Sequence, residues 1–283
     1  MSNPGFGERL GAAFDEFGHL CVGIDPHPFL LKEWGFNDDS AGLREFSLRV
    51  VDACVGRVGI IKPQVAFYER HGSRGYEVLE LLFERARNSG LIVIADAKRG
   101  DIGSTMEAYA STWLTPGSAL EADALTVSPY LGAGSLAPTV NLALKGDKGI
   151  FMLAATSNPE AASLQQSRIV DGPHKGETVA QSILSDAEQW SLTREPAGSI
   201  GVVLGATLEL ELFGINPDDY PSVPVLAPGF GFQGARVEDA RSVFGSMTRN
   251  LIVSETRSVL AVGRGGVVES ITRRANEVAD ALS

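Results

Sequence analysis

The sequence predicts an α/β fold, a (β/α)8 TIM barrel built as a single domain over residues 1–283. Three observations support this fold class: eight short apolar runs, helix-like segments between them, and a length of 283 residues. Barrels of about 250 residues commonly form one domain. Strands that alternate with helices favour a parallel sheet with right-handed crossovers.

The eight apolar runs predict eight strands. Each run is rich in Val, Ile or Leu, and such near-continuous apolar stretches are typical of parallel strands that are buried on both faces. They lie at residues 20–25, 58–63, 91–96, 124–129, 149–155, 200–206, 223–229 and 250–255.

Helical periodicity fills the segments between the runs. Residues 41–56 and 75–90 both show apolar residues at helical spacing and end in Gly, a common helix terminator. An open doubly wound sheet is the alternative architecture, but the stretch VGIDPHPFLL after the first run lacks the Gly-rich turn expected there. The long polar region 156–199 is expected to contain a helix and to form a lid over one face.

Composition limits the partners and the compartment. The net charge of −11 argues against a nucleic-acid partner held by a general positive field. No apolar run reaches the roughly 18 residues needed to span a membrane, and we see no signal peptide. Cys21 and Cys54 form neither a disulfide framework nor a zinc motif. We therefore expect a cytoplasmic protein with reduced thiols.

Charged residues gather where the predicted strands end, which is the catalytic face of such a barrel. Asp25 ends the first run, Lys62 the second, and Asp96 and Lys98 the third. Residues i and i+2 of a strand point the same way, and neighbouring strands lie about 4.8 Å apart. We expect an alternating array of Lys62, Asp96, Lys98 and Asp101, in which Asp101 either returns toward Lys98 or reaches across to a partner subunit. A purely structural ion-pair network is the alternative interpretation.

A lysine held between two carboxylates stays protonated. Lys98 would then be a poor Schiff-base nucleophile but a good proton donor to a carbanion-like centre. The carboxylates Asp96 and Asp101 could instead bind Mg²⁺, although the lysine between them competes for that space. We therefore expect no metal at this site.

A Gly-rich segment marks a second candidate site. APGFGFQGA at 227–235 follows the seventh run and contains Gln233, while Arg257 lies just beyond the eighth run. Loops at these two positions commonly bind phosphate in such barrels, and Arg suits that ligand. Ser128, at the end of the fourth run, either caps the next helix or contacts substrate. The four histidines do not cluster and are interpreted as structural or surface residues.

Several stretches together resemble one known family. DAKRGDIGST, CVGIDPHP, IKPQVAFYE, VSPYLG and LAATSNPE are similar to segments of orotidine 5′-phosphate decarboxylase, in its longer bacterial subtype. The resemblance runs from about residue 5 to residue 275. The D-x-K-x-x-D core alone is also found in sister sugar-phosphate lyases, so the full set of stretches carries the specificity.

The resemblance implies a TIM-barrel carboxy-lyase that converts orotidine 5′-phosphate to uridine 5′-phosphate without a cofactor, the last step of pyrimidine synthesis. It implies that Lys98 protonates C6 after CO₂ leaves and that Asp96 lies beside the departing carboxylate. It further implies that Lys62 and Asp101 complete the charged array, with Asp101 contributed across the interface of a homodimer.

The resemblance also implies a set of substrate-binding residues. Asp25 would bind the ribose, with Thr105 of the partner subunit nearby, and Ser128 would contact the pyrimidine edge. Gln233 and Arg257 would bind the phosphate.

Three alternatives remain at this point. Arg264, in the string VGR, could replace Arg257 as the phosphate ligand, although LIVSE makes the better eighth strand and places Arg257 just after it. The chain could be a Mg²⁺-dependent sugar-phosphate decarboxylase or aldolase with the same core. It could also be a catalytically silent nucleotide-binding barrel.

Overall fold

The computed structural model describes residues 4–193 and 198–283. Residues 194–197, within the predicted lid region, and residues 1–3 of the predicted domain lie outside the described residues. Eight parallel strands form a closed barrel in sequence order, and β8 pairs with β1. The strands are β1 Leu20–Ile24, β2 Ile60–Pro63, β3 Ile92–Arg99, β4 Ala124–Val127, β5 Gly149–Ala155, β6 Ile200–Leu204, β7 Val225–Pro228 and β8 Leu251–Glu255.

Helices surround this barrel. In the described residues they are α1 Phe6–Phe17, α2 Pro28–Glu33, α3 Ser40–Cys54, α4 Ala66–Glu69, α5 Ser73–Asn88, α6 Gly103–Leu114, α7 Ala137–Lys145, α8 Ala162–Gln165, α9 Val179–Thr193, α10 Ala240–Phe244, α11 Arg257–Leu260 and α12 Val267–Leu282. Short 3₁₀ turns occur at Ala133–Leu136, Pro159–Ala161, Leu210–Phe213, Pro217–Asp219, Gly231–Gln233, Val237–Asp239 and Gly245–Asn250. The predicted barrel is therefore confirmed.

Every predicted strand is found, with bounds that differ by three residues or fewer. Apolar strand side chains are buried on both faces, as in β1, where all five residues are buried. β3 departs most from this pattern, because it continues beyond Asp96 to Arg99 and its last three residues are partly buried or exposed. Its register with β4 shifts between Ala95 and Arg99, so the charged residues lie on an irregular strand end.

The interior of the barrel is filled from the strands and from α1. Inward side chains such as Ile60, Ile94 and Ala124 form one apolar cluster with Phe6 of α1. A Cβ atom added to Gly149 would lie 2.5 Å from the Phe6 ring. Helix α1 therefore closes the amino-terminal end of the barrel, and the glycine makes room for its aromatic side chain.

The region between β5 and β6 is more structured than one loop. It contains α8, an antiparallel bridge between Arg168 and Thr178, and α9. The helix expected there is confirmed as α9. Cys21 and Cys54 are buried and free, as expected. Within the described ranges, we find no helix long and apolar enough to cross a membrane.

Candidate active site

Polar side chains replace apolar ones at the carboxyl end of the barrel interior. Ile60, Ile94 and Ala124 belong to the interior apolar cluster, and each is followed two residues later by a buried polar residue. Because strand side chains alternate faces, these later residues also point inward. They are Lys62, Asp96 and Thr126, and they form the floor of the candidate site.

The two lysines contact opposite oxygens of one carboxylate. Nζ of Lys62 lies 2.9 Å from Oδ2 of Asp96, and Nζ of Lys98 lies 2.5 Å from Oδ1. The side chains of Lys62 and Asp96 are 7% and 9% exposed, but that of Lys98 is 44% exposed. Lys98 therefore presents the ammonium that a ligand can reach, whereas the ammonium of Lys62 contacts Asp96 on its buried side.

Asp25 extends this array on the side of β1. Its Oδ1 lies 3.9 Å from Nζ of Lys62, and its Oδ2 accepts a hydrogen bond of 3.1 Å from the hydroxyl of Thr256. Gly23 leaves the space for Thr256, since a Cβ there would lie 1.9 Å from its Oγ1. Oδ1 of Asp25 is buried and has no hydrogen-bond partner among the described residues. It is an acceptor that still lacks a donor.

Electrostatics keep the array charged. Burial alone would lower the pKa of Lys62, but the carboxylates of Asp96 and Asp25 outweigh it and hold that pKa above its usual value. Burial alone would raise the pKa of Asp96, but the ammonium groups of Lys62 and Lys98 hold it well below the usual carboxyl range. A carboxylate between two ammonium groups is the stable state.

Two polar contacts of Asp96 were not predicted from the sequence. The amide of Gln64 donates to Oδ2 at 2.9 Å, and the hydroxyl of Thr126 donates to Oδ1 at 3.0 Å. Alternation could have indicated both, because Gln64 lies two residues after Lys62 and Thr126 two residues after the inward-facing Ala124. A threonine in an apolar run resembles any other β-branched strand residue, so its role was missed.

Asp101 and Thr105 lie apart from the array. Asp101 accepts a hydrogen bond from the backbone N–H of Ile102 at 2.8 Å and makes no ion pair with any described residue. Thr105 is exposed in the first turn of α6. The structure therefore joins Asp25, Lys62, Asp96 and Lys98 within one chain, and Asp101 is not brought to Lys98.

Ser128 lies beside the turn that follows β3. Its backbone N–H donates to the carbonyl of Arg99 at 2.7 Å, and a Cβ on Gly100 would lie 2.5 Å from its carbonyl oxygen. The next helical turn begins after Gly132, so Ser128 does not occupy its N-cap position.

The Gly-rich loop and Arg257 meet after β7 and β8. Gly229, Gly231 and Gly234 have φ angles of 120°, 68° and 104°, which favour glycine. Arg257 is the first residue of α11, and its guanidinium carbon lies 3.8 Å from the ring centroid of the exposed Phe232. Stacking of this kind leaves the edge of the guanidinium available for an anion.

The other two candidates at this end are both exposed. Gln233 ends the 3₁₀ turn Gly231–Gln233 beside Phe232. Arg264 lies in the turn between α11 and α12, beyond the helix that Arg257 begins. The strand assignment that favoured Arg257 is confirmed, because β8 is Leu251–Glu255.

A buried ion pair lies next to the Gly-rich loop. The Glu255 side chain is 0% exposed, and its Oε1 accepts from Nε of Arg274 on α12 at 2.7 Å. Its Oε2 accepts from the hydroxyl of Ser258 and would lie 2.8 Å from a Cβ on Gly231. Glu255 therefore connects β8, α12 and the loop.

Arg99 faces outward, as alternation predicts. It forms an ion pair with Glu69 and lies over the rings of Tyr109 and Trp113 at 5.5 and 5.8 Å. These contacts are with helices outside the barrel, so Arg99 is not part of the array.

The donor set of the site suits an ammonium more than a metal ion. In the ranges 4–193 and 198–283, no group of three or more His, Cys, Asp or Glu side chains could hold a metal. The space between Asp25 and Asp96 is taken by the ammonium of Lys62. Together, the fold and this array define a (β/α)8 barrel enzyme with a lysine-centred site at the carboxyl ends of its strands.

Comparisons with known proteins agree with this class. A family profile described as orotidine 5′-phosphate decarboxylase / HUMPS family matches residues 18–281. Orotidine 5′-phosphate decarboxylases of Streptomyces coelicolor and Salinispora tropica are 51% and 49% identical over 261 residues, which is 91% of this chain and 90% of theirs. A crystal structure from Streptomyces avermitilis, assigned to the same enzyme, superposes with a TM-score of 0.91 at 46% identity, covering 100% of this chain and 97% of that one.

The chain therefore belongs to the orotidine 5′-phosphate decarboxylase / HUMPS family.

Proposed function

We propose that this chain is a carboxy-lyase that decarboxylates orotidine 5′-phosphate to uridine 5′-phosphate without a cofactor, the last step of UMP biosynthesis. One observation carries the proposal: the half-exposed ammonium of Lys98, held 2.5 Å from Asp96, in a chain about 50% identical to decarboxylases named for this reaction.

Lys98 is the proposed proton donor. When the bond between C6 and the carboxylate breaks, CO₂ leaves and the electron pair remains on C6 of the pyrimidine. The ammonium stabilises this developing negative charge and then transfers a proton from Nζ to C6. Lys62 stays buried under Asp96 and maintains the charge balance.

Asp96 has two proposed effects. Its carboxylate keeps the ammonium of Lys98 in place. It would also lie next to the carboxylate of a substrate bound beside Lys98. Repulsion between the two carboxylates destabilises the bound substrate and is relieved as CO₂ leaves. The part-buried amide contact from Gln64 helps to hold Asp96 in this orientation.

The remaining site residues are proposed to bind substrate. Oδ1 of Asp25, a buried acceptor without a hydrogen-bond partner among the described residues, fits a ribose hydroxyl. Ser128 is proposed to contact the pyrimidine edge. Gln233 and Arg257 are proposed to bind the phosphate, with the loop of positive-φ glycines giving close backbone approach. That loop and the described part of region 156–199 are proposed to close over bound substrate.

We also propose a homodimer with shared active sites. Asp101 and Thr105 do not contact the array of their own chain, so each would serve the site of the partner. Apolar side chains are exposed around them: Ile102 is 61% exposed, and Tyr130 and Leu131, after the neighbouring β4, are 75% and 53% exposed. Burial of such a patch stabilises association.

Residues 1–283 are proposed to act as one domain in the cytoplasm, without a nucleic-acid partner. The net charge of −11 would repel phosphate backbones.

A spectroscopic assay tests the function. The absorbance of orotidine 5′-phosphate should decrease when the enzyme is added, at the same rate with and without EDTA. Loss of activity with EDTA would favour a Mg²⁺-dependent sister enzyme, and no absorbance change would favour a silent nucleotide-binding barrel.

A further inference from the structure

The backbone of Lys98 is in an uncommon conformation. Its φ angle is +49°, and the other non-glycine residue with positive φ in the described part of the chain is Asp147. The left-handed region disfavours residues with a Cβ, so it persists only where the surroundings hold it. The question is which contact holds Lys98.

The hydroxyl of Thr126 makes that contact. Its Oγ1 accepts a hydrogen bond of 3.0 Å from the backbone N–H of Lys98. At this point the register of β3 with β4 shifts between Ala95 and Arg99, so a side chain satisfies this N–H. A threonine hydroxyl has one proton to donate and two lone pairs to accept with, so a donor role remains.

The same hydroxyl donates to Oδ1 of Asp96 at 3.0 Å. This is the carboxylate oxygen that Nζ of Lys98 contacts at 2.5 Å. Thr126 therefore holds both ends of the pair, the backbone that carries Lys98 and the carboxylate that orients its ammonium. Thr126 is 0% exposed, so it would act on the reaction through the residues it contacts and not by touching substrate.

We infer that Thr126 is a positioning residue for the reaction: its hydroxyl sets the left-handed backbone of Lys98 and the direction in which the ammonium points. The inference rests on the proposed function for its kinetic consequence. Its structural part, that the hydroxyl determines the geometry of Lys98 and Asp96, stands without it.

Two substitutions distinguish the effect of the Thr126 hydroxyl from the effect of its side-chain shape. Thr126→Val keeps the shape but leaves the N–H of Lys98 without a buried acceptor. Thr126→Ser keeps the hydroxyl and removes one methyl group. A matched control is Thr139→Val in α7, because Thr139 is 1% exposed and its hydroxyl has no partner among the described residues.

The kinetic readout is whether each substitution changes kcat or KM. Both constants are measured well below the unfolding temperature and corrected for the folded fraction. We expect Thr126→Val to lower kcat by about 10- to 100-fold with little change in KM, since small misplacements of a catalytic group have effects of this size. We expect Thr126→Ser to stay within about threefold of the wild type, and Thr139→Val to match the wild type. A purely structural role would lower the unfolding temperature, but kcat would not fall selectively and Thr126→Ser would not restore it.

The structural readout is a crystal structure of Thr126→Val beside the wild type. We expect φ of Lys98 to leave the left-handed region, or Nζ of Lys98 to move beyond about 3.5 Å from Asp96. An unchanged geometry together with an unchanged kcat overturns the inference. If the wild type does not decarboxylate orotidine 5′-phosphate, the proposed function fails, and the crystal structures alone decide the role of Thr126.

Discussion

Nζ of Lys98 lies 2.5 Å from Oδ1 of Asp96, yet the lysine side chain is 44% exposed while that of the aspartate is 9% exposed. The pair is thus fixed at its buried end and accessible at its outer end.

Removal of the exposed ammonium should abolish turnover while substrate binding persists. We expect Lys98→Ala to lower kcat by at least about 10²- to 10⁴-fold, the usual contribution of a general acid, because no other ammonium in the array is exposed. Calorimetry should still detect UMP binding, since the substitution leaves the proposed phosphate and ribose ligands in place. Lys145→Ala is the control, because Lys145 is exposed at the end of α7. Wild-type kcat in Lys98→Ala would exclude Lys98 as the donor.

The pKa of Asp96 makes a pH-dependent contribution to stability. A carboxyl group whose pKa is lower in the folded state stabilises the fold above its unfolded pKa of about 3.9. That stabilisation is lost as the pH falls toward the folded value. Asp96→Asn should therefore lower the free energy of unfolding at pH 7 by about 3 kcal/mol, because it leaves buried Lys62 incompletely paired.

Urea unfolding at pH 7, 5 and 3 measures this contribution. The difference between the wild type and Asp96→Asn should stay constant from pH 7 to pH 5 and then decrease by about 1 kcal/mol by pH 3. Asp171→Asn, at an exposed carboxyl, should show no such decrease. A difference that stays the same at all three pH values would contradict the low pKa of Asp96.

The two candidate phosphate arginines should differ in their effect on KM. Arg257→Ala should raise KM for orotidine 5′-phosphate by about 10- to 100-fold, the usual loss for a hydrogen bond to a charged group. Arg264→Ala should leave KM normal, because Arg264 lies beyond α11. Steady-state kinetics on the two variants decide between them, and the opposite pattern would assign the phosphate to Arg264.

Shared active sites can be tested by mixing two inactive variants. In a mixed dimer of Lys98→Ala and Asp101→Ala chains, the two substitutions fall in the same site only when Asp101 acts across the interface. In a mixed dimer with shared sites, one site has both residues intact and the other has neither. Random exchange of equal amounts should then restore about a quarter of wild-type activity. Mixtures that remain inactive after subunit exchange would place Asp101 in the site of its own chain.

Most of the fold was predictable because it depends on local patterns. The apolar runs located all eight strands, and alternation correctly placed Lys98 beside Asp96 and directed Arg99 outward. The order of a parallel barrel also brought Lys62 next to Asp96. These relationships need only side-chain alternation and neighbouring strands.

The rest depends on three-dimensional detail that spacing does not contain. The backbone N–H of Lys98 reaches the hydroxyl of Thr126 where the register of β3 shifts, and Thr256 contacts Asp25 because Gly23 leaves room for it. The stacking of Phe232 on Arg257 joins loops from two strands. Such contacts depend on strand stagger and loop geometry. The sequence therefore indicated the charged residues of the site better than the neutral residues that position them.

Closure of the amino-terminal end of the barrel by Phe6 determines how small molecules can enter and leave the site. Its ring packs against Phe151 at 6.1 Å between centroids and blocks the axis of the barrel below the site. Among the described residues, the rim formed by the loops after the strands is then the entrance for the nucleotide and the exit for both products. In the proposed reaction, CO₂ and the nucleotide would therefore share one route through this rim.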